Sequence, residues 1–409
     1  MIQLSHWSLV FFLLGAPLWL ISPQIASSYL FIWGALLLLD LFLLPRKSQV
    51  TVERILPEHF VIDVPSQICW KVKRKEGVLQ DHFPGQSYCI KTDSELLTQT
   101  YCPNERGRFL LTAPSLRLKG CLYLLYREYF FEFEEAIKVY PNCRSPLNPS
   151  FAAFGKPEMT QNKTLKVYQR GGELESLRPY IQGEDLRNVE WKISAKKGEM
   201  VCKNWEMEND RHISVLIDCG RRSAEIAGAR SLLDHSLNAT AQLCRLIQNK
   251  QDTFSLYAFS NKIEASLPKT DKKSVTQKTL ETIYQLKPQS VESDYWQVIG
   301  QVMHKLTKRS LLILFSNVLD TAGSLGLINN LTRASQKHLV LCVVMKDQKL
   351  EEAANADDPY RRAAACYLLL ERERAIKHMR AKGIHVLDAS TSSYISEVIQ
   401  HYLRIREKI

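Results

Sequence analysis

Two apolar runs open the chain, SHWSLVFFLLGAPLWLI and SSYLFIWGALLLLDLFLL, with more polar positions between Ser22 and Ser27. Each run is just long enough to cross a bilayer, which predicts a transmembrane helical hairpin over residues 1–45. From Val50 to Pro141 the period shortens to alternation: VTVERI, SQICWKVKR, RFLLTAPSLRL and FFEFEEAIKVYP each fit a half-buried strand. Breakers at Pro57, Pro65, Pro84-Gly85, Pro103-Asn104 and Gly107 divide them, so an all-β, sandwich-like domain is expected over 46–141. Residues 142–177, with Pro146, Pro149, Gly155 and Pro157, read as linker and lead-in. Beyond residue 178 the fully apolar runs HISVLI, TFSLYAF, SLLILF, HLVLCVVM and IHVL alternate with helical segments near 229–249, 272–287, 294–308, 321–336, 361–382 and 392–406. Strands buried on both faces and separated by helices predict a doubly wound α/β domain over 178–409.

Charge orients this arrangement. Arg46, Lys47 and Arg54 follow the second apolar run while the inter-helix loop has no basic residue, which predicts cytoplasmic termini and a cytoplasmic C-terminal part at a bacterial inner membrane. A cleaved signal is disfavoured because Met1 to His6 carry no Lys or Arg, and cleavage would leave the second run in place. Asp40, a turn from the exit end of that run, is expected to snorkel to the interface. The net charge of +11 is spread from Arg46 to Lys408 without a nucleic-acid signature, so it favours apposition to anionic lipid over binding of a polyanion. Ten scattered cysteines without a C-x-x-C pair suit a reducing compartment. Neither a phosphate-binding glycine loop nor a G-x-S-x-G elbow follows any strand.

The stretch from Arg178 to Gly220 joins a dense polar block to a buried strand. The block holds Arg178, Tyr180, Gly183, Glu184, Asp185, Arg187, Glu190, Trp191, Lys192, Lys196 and Lys197, with both signs interleaved. Asp185 is expected to cap a helix in which Leu186, Val189 and Ile193 share a face. Two readings of the block stand side by side: a docking surface anchored by Trp and Arg, and, favoured here, an internal ion-pair network around a buried Trp191. The strand that follows ends in Asp218, at the ligand-binding end of a parallel sheet.

The run Y-x-x-G-E-D-x-R-x-x-E-W-x-x-S-A-K at 180–196, with ERGR at 105–108, VYP at 139–141 and YRRAAA at 360–365, resembles the bacterial membrane-protein family known as domain of unknown function number fifty-eight. The resemblance implies a von Willebrand factor type A-like α/β domain and a non-enzymatic adaptor or assembly factor. It also implies a partner, an AAA ATPase of the MoxR kind, together with a client protein, and no cofactor. Type A domains often hold a divalent cation through D-x-S-x-S and residues of two further loops. Here the matching positions are Asp218, Gly220 and Arg222, then Ser293 or Asp294, then Asn317, so both first-loop hydroxyls are missing. A guanidinium competes with a cation for a carboxylate, so one expectation is a metal-free site in which Arg221 or Arg222 pairs with Asp218, and the other, of equal weight, is that Asp218 simply terminates its strand or caps the next turn.

Other classes make different demands. A thiol-dependent hydrolase would use Cys202, Cys219 or Cys244 with His212 or His235, although Cys244 lies on the apolar side of a helix, where an inert thiol is the default. A membrane-surface scaffold with no ATPase partner needs only the anchor and the lipid-facing charge. Nucleic-acid binding requires a concentrated basic face, which the linear sequence lacks.

Overall fold

The computed structural model of the protein describes residues 2–14, 17, 22–45, 47, 50–73, 77–92, 94–131, 135–143, 173–181, 186, 189–206, 211–250, 252–270, 274–318 and 323–406. It divides into two compact units, Met1–Asn142 with Leu280–Lys287, and Cys143–Thr279 with Pro288–Ile409. Much of the expected linker, at 144–172, and Gly183, Asp185 and Arg187 of the polar block lie outside the described residues.

The first unit begins with β1 (Ile2–Leu4), α1 (His6–Leu14) and α2 (Pro23–Leu43). Among the described residues α2 alone is long and apolar enough to cross a membrane. Ser22 caps it by accepting the Ile25 N–H at 3.3 Å. The nine-residue α1 packs on it through Phe12 and Trp33, whose ring centroids are 5.3 Å apart, and the Tyr29 hydroxyl donates to the Phe11 carbonyl. Residues 15, 16 and 18–21, which the expected first span would need, lie outside the described set.

Short strands follow: β2 (Val52–Ile55), β3 (Phe60–Val61), β4 (Ser66–Val72), β5 (Gly77–Phe83), β6 (Gln86–Lys91), β7 (Leu96–Tyr101), β8 (Gly107–Leu110), β9 (Ser115–Lys119), β10 (Leu125–Phe130) and β11 (Ala136–Tyr140). They form sheets ordered β1-β10-β9-β5-β6, β3-β11-β8 and β2-β4-β7. The run expected as one strand, RFLLTAPSLRL, is split at Pro114 into β8 and β9, because proline supplies no ladder donor. Ile68, Trp70, Val72, Leu79, Leu116 and Val139 are fully buried in the core between the sheets. That core also encloses a charge pair. Arg54 donates through Nε and Nη2 to Asp81 at 2.9 and 2.5 Å, and the Trp70 indole N–H adds a bond of 2.7 Å. Arg54, counted above as a topological signal, is thus a core residue, and the positive flank of α2 described here is Lys47.

Asp40 departs from its expected role. It is fully buried, and its carboxylate accepts the backbone N–H groups of Leu122, Leu124 and Leu125 at 2.9, 3.1 and 2.9 Å. A Cβ on Gly120 would overlap both Asp40 oxygens, so the β9–β10 turn needs glycine to approach this close. The turn's amides outbid the interface because they are fixed donors already gathered in one place. On the other flank, β1 pairs antiparallel with β10, and the Ser5 N–H donates to the Leu124 carbonyl at 2.8 Å. The amino end of α1 and the carboxyl end of α2 therefore meet at the same β-turn.

The second unit contains β12 (Glu173–Pro179), α3 (Trp191–Lys197), β13 (Val201–Glu206), β14 (His212–Asp218), β15 (Ile226–Ala227), β16 (Arg230–Ser231), α4 (Leu232–Lys250), β17 (Thr253–Phe259) and β18 (Ile263–Thr270). Next come α5 (Val275–Ile283), whose residues from Leu280 onward are counted with the first unit, α6 (Tyr295–Lys305), β19 (Leu311–Phe315), α7 (Leu325–Ser335), β20 (Leu339–Met345), α8 (Gln348–Ala354), α9 (Pro359–Ala381), β21 (His385–Ala389) and α10 (Tyr394–Arg406). The main sheet runs β18-β17-β14-β19-β20-β21, parallel except for β18. The five apolar runs recognised in the sequence are its parallel strands, and every residue of β17 and β19 is buried. β18 alternates exposed and half-buried positions as an edge strand and carries Pro268 and Lys269, residues that discourage further pairing. α10 is fastened by Asp252, which accepts from the Tyr402 hydroxyl at 2.9 Å and from Arg406 Nε and Nη2 at 2.6 and 2.9 Å.

Candidate functional site

Asp218, at the carboxyl end of β14, is joined by two of the expected site residues, Gly220 and Ser293. Its side chain points into the sheet end, and the residue is only 6% exposed. Oδ1 accepts the Gly220 N–H at 2.9 Å and the Ser293 hydroxyl at 2.5 Å. Oδ2 accepts the Tyr295 hydroxyl at 2.6 Å and the Ser316 hydroxyl at 2.8 Å. Gly220 is required here, since a Cβ would overlap Ser293 Oγ. Burial, followed by the adjoining Asp218 carboxylate, holds the Tyr295 phenol well above the usual tyrosine range, so it remains a donor at ordinary pH.

This replaces the expected arginine pairing. Arg221 reaches outward to Glu292 at 2.7 Å, and the hydrogen bonds to Asp218 come from hydroxyls and one amide. Asp294 is a helix cap, accepting the Gln297 N–H at 3.0 Å. Asn317 donates through Nδ2 to Glu225 at 2.9 Å. A divalent ion needs about six oxygen ligands with lone pairs directed at it. Here Gly220 and Arg222 supply no neutral side-chain oxygen where the first loop would need two, and three hydroxyls donate their protons to the one carboxylate. The residues present do not fit a resident cation. The adjoining cavity, lined by Ser223, Ser236, Ser316, Asn317 and Tyr394, has a volume of ≈ 20 Å³, room for a water.

Glu225 lies beyond Asn317, with its carboxyl raised above the usual glutamate range by burial and then by Asp347. A raised folded-state value means that this group favours folding below its unfolded value and loses that contribution as pH rises through the folded one. Glu225→Gln, which mimics the protonated form, is therefore expected to match the wild type in acid and to become the more stable chain toward neutrality. Urea midpoints for both proteins across that range check the sign.

The polar block is arranged differently from the favoured expectation. α3 starts at Trp191 with Glu190 as its cap, whereas Val189 forms a β-bridge with Cys202. Trp191 is 62% exposed, so no buried indole centres an ion-pair network there. Ile181, Leu186 and Met200 are exposed as well, and the Tyr180 N–H donates to the Met200 carbonyl at 2.8 Å, joining the two ends of this segment. Lys196 is exposed, Tyr180 is half-buried, and the backbone of Arg178 pairs in β12 with Cys202 of β13. Neither Tyr295 nor Ser316 was singled out in the sequence. Ser316 directly precedes Asn317, which the sequence did single out, while nothing local marks Tyr295, which reaches Asp218 from the start of α6.

The candidate thiols are enclosed. Cys202, Cys219 and Cys244 are buried, and burial pushes the Cys244 thiol up to about 12. His212 bonds Ser255 at 3.0 Å and His235 bonds the Ala227 carbonyl at 3.0 Å.

Residues 176–357 match the model of a family described as "Protein of unknown function DUF58", a span that contains the motif at 180–196. Among solved structures, conserved hypothetical protein BatB from Bacteroides thetaiotaomicron is 13% identical, with 49% of this chain and 100% of that one covered at a TM-score of 0.32. An uncharacterized membrane spanning protein from Vibrio fischeri is 12% identical, with 48% and 99% covered at a TM-score of 0.15. None of the curated proteins matches the chain in sequence.

Proposed function

Because residues 176–357 belong to the family described as protein of unknown function DUF58, we propose that the chain is a membrane-anchored, non-enzymatic adaptor working beside an AAA ATPase of the MoxR kind. The observation that carries this reading is the exposed apolar set Ile181, Leu186, Trp191 and Met200, placed inside the family segment. Large apolar side chains gathered in water mark an interaction surface, and an exposed Trp is a common anchor of one. The α/β unit is read as von Willebrand factor type A-like, supported by its strand order, with the first strand central and the third antiparallel. Asp218 is then an internal fastening that replaces the metal.

The anchor is read as a helical hairpin with both termini in the cytoplasm. Support comes from the meeting of the amino end of α1 and the carboxyl end of α2 at the β9–β10 turn, and from the basic residues that follow α2. Buried thiols and a water-sized cavity at Asp218 favour this reading over a thiol hydrolase. Iodoacetamide at mildly alkaline pH should label the exposed Cys89, Cys121 and Cys366 in the native chain and leave Cys244 and Cys342 unlabelled until denaturant is added. Mass spectrometry of the labelled peptides reads the pattern, and rapid native labelling of Cys244 would reopen the hydrolase reading.

The direct test is affinity purification of the full chain in mild detergent, with and without a slowly hydrolysed ATP analogue. Recovery of an AAA ATPase is the expected result; its absence under both conditions sinks the proposal and leaves a membrane-surface scaffold.

A further inference from the structure

At the amino end of β19, opposite Asp218, α6 and α7 enclose a groove of ≈ 530 Å³. Its apolar lining is the half-buried Met303 and the exposed Trp296, laid over the buried Ile299 and Leu306. Its rim carries Arg309, Arg333 and Lys337, and no carboxylate lines it. The three cations are all exposed, and among the described residues none of them is in an ion pair. His338 is held at the inner wall, where its Nδ1 accepts the Ser310 N–H at 3.3 Å. Trp296 is 65% exposed at the groove, with the Arg333 guanidinium 5.1 Å from its ring centroid.

An apolar lining between two helices, bordered by exposed cations, has the chemistry of a helix-receiving groove for a negatively charged segment. We propose that this groove receives an acidic amphipathic helix of a partner protein, with apolar residues on Met303 and Trp296 and carboxylates toward Arg309, Arg333 and Lys337. Single-stranded nucleic acid fits less well. Its binding sites use successive open aromatic faces, and here the one exposed indole is already covered on one face by a guanidinium. The groove is separate in sequence from the Trp191 surface, and the assignment does not depend on the ATPase reading.

The test uses the full chain in mild detergent and a fluorescein-labelled helical peptide with Glu on one face and Leu on the other. Its control has every Glu replaced by Gln, and oligothymidylate is the competing polyanion. Fluorescence anisotropy should show the Glu peptide binding about tenfold or more tighter than the Gln peptide. Arg333→Glu with Lys337→Glu should abolish the difference, Arg309→Glu alone should reduce it, and Trp191→Ala should leave it unchanged. Equal binding of the two peptides overturns the proposal. So does insensitivity to both charge-reversed variants, or tighter binding of oligothymidylate through the same residues.

Discussion

Asp218→Ala is expected to lower the stability of the α/β unit by roughly 3–5 kcal/mol, because it strands donors that are shut off from water. Four hydrogen bonds end on this carboxylate, and three of their donors belong to residues 75 to 98 positions away in sequence. The Ser293 and Ser316 hydroxyls can rotate toward other acceptors, which keeps the loss below the sum of four separate penalties. Tyr295 has less freedom, since its ring is fixed against Phe259 with centroids 5.8 Å apart. Asp218→Asn should cost less, because one oxygen remains to accept while the new amide opposes a hydroxyl. Hydrogen exchange of the full chain in urea reads both variants, with protection lost first in β14 and β19. A site built to hold a metal would behave oppositely in the metal-free chain: removing an uncompensated carboxylate would leave stability unchanged or raise it.

Asp40→Ala should have an effect of similar size, roughly 3–5 kcal/mol, on the join between α2 and the β9–β10 turn. The buried amides at 124 and 125 and the part-buried one at 122 lose their acceptor together, and at 124 and 125 water cannot replace it. Asp40→Asn retains two of the three bonds when its oxygen faces Leu124 and Leu125, and its amide then opposes the Leu122 N–H. Gly120→Val should be damaging in the presence of Asp40 and milder in an Asp40→Ala background, because its branched side chain enters the volume that the carboxylate occupies. Limited proteolysis within 120–125 in detergent measures this directly. The expected order of susceptibility is wild type, then Asp40→Asn, then Asp40→Ala. Equal resistance of all three would return Asp40 to the surface role that its position near the helix end suggests.

These two carboxylates show where sequence reading succeeds and where it stops. Strands such as HISVLI and HLVLCVVM are legible because burial on both faces demands a continuous apolar run, and their parallel pairing follows from the intervening helices. Asp218 stood out because a carboxylate that ends such an apolar run must be partnered, whether by a ligand or by the fold itself. Its partners were not, since Ser293, Tyr295 and Ser316 converge only when α6 and β19 are placed beside β14. Asp40 was misplaced for a related reason: spacing along a helix gives the depth of a carboxylate and says nothing of amides 82 to 85 residues later. The β12–β13 hairpin was hidden because the polar block mixes charges without alternation, and the edge strand β18 because its sequence, IEASLPKT, includes a proline. The basic groove was invisible as well, for its cations come from the end of α7 and from the segment before β19, two places that the chain separates.

The central claim is that this family segment acts through the surface around Trp191 and that the strand ends at Asp218 serve the fold. One comparison tests it most directly: recovery of an AAA ATPase on full-length wild type, Trp191→Ala and Asp218→Asn, each normalised to the folded fraction. The account predicts that Trp191→Ala costs about 2 kcal/mol or more of capture, as expected for an exposed anchor, while Asp218→Asn captures as the wild type does. Loss of capture in folded Asp218→Asn, with Trp191→Ala unaffected, would contradict it.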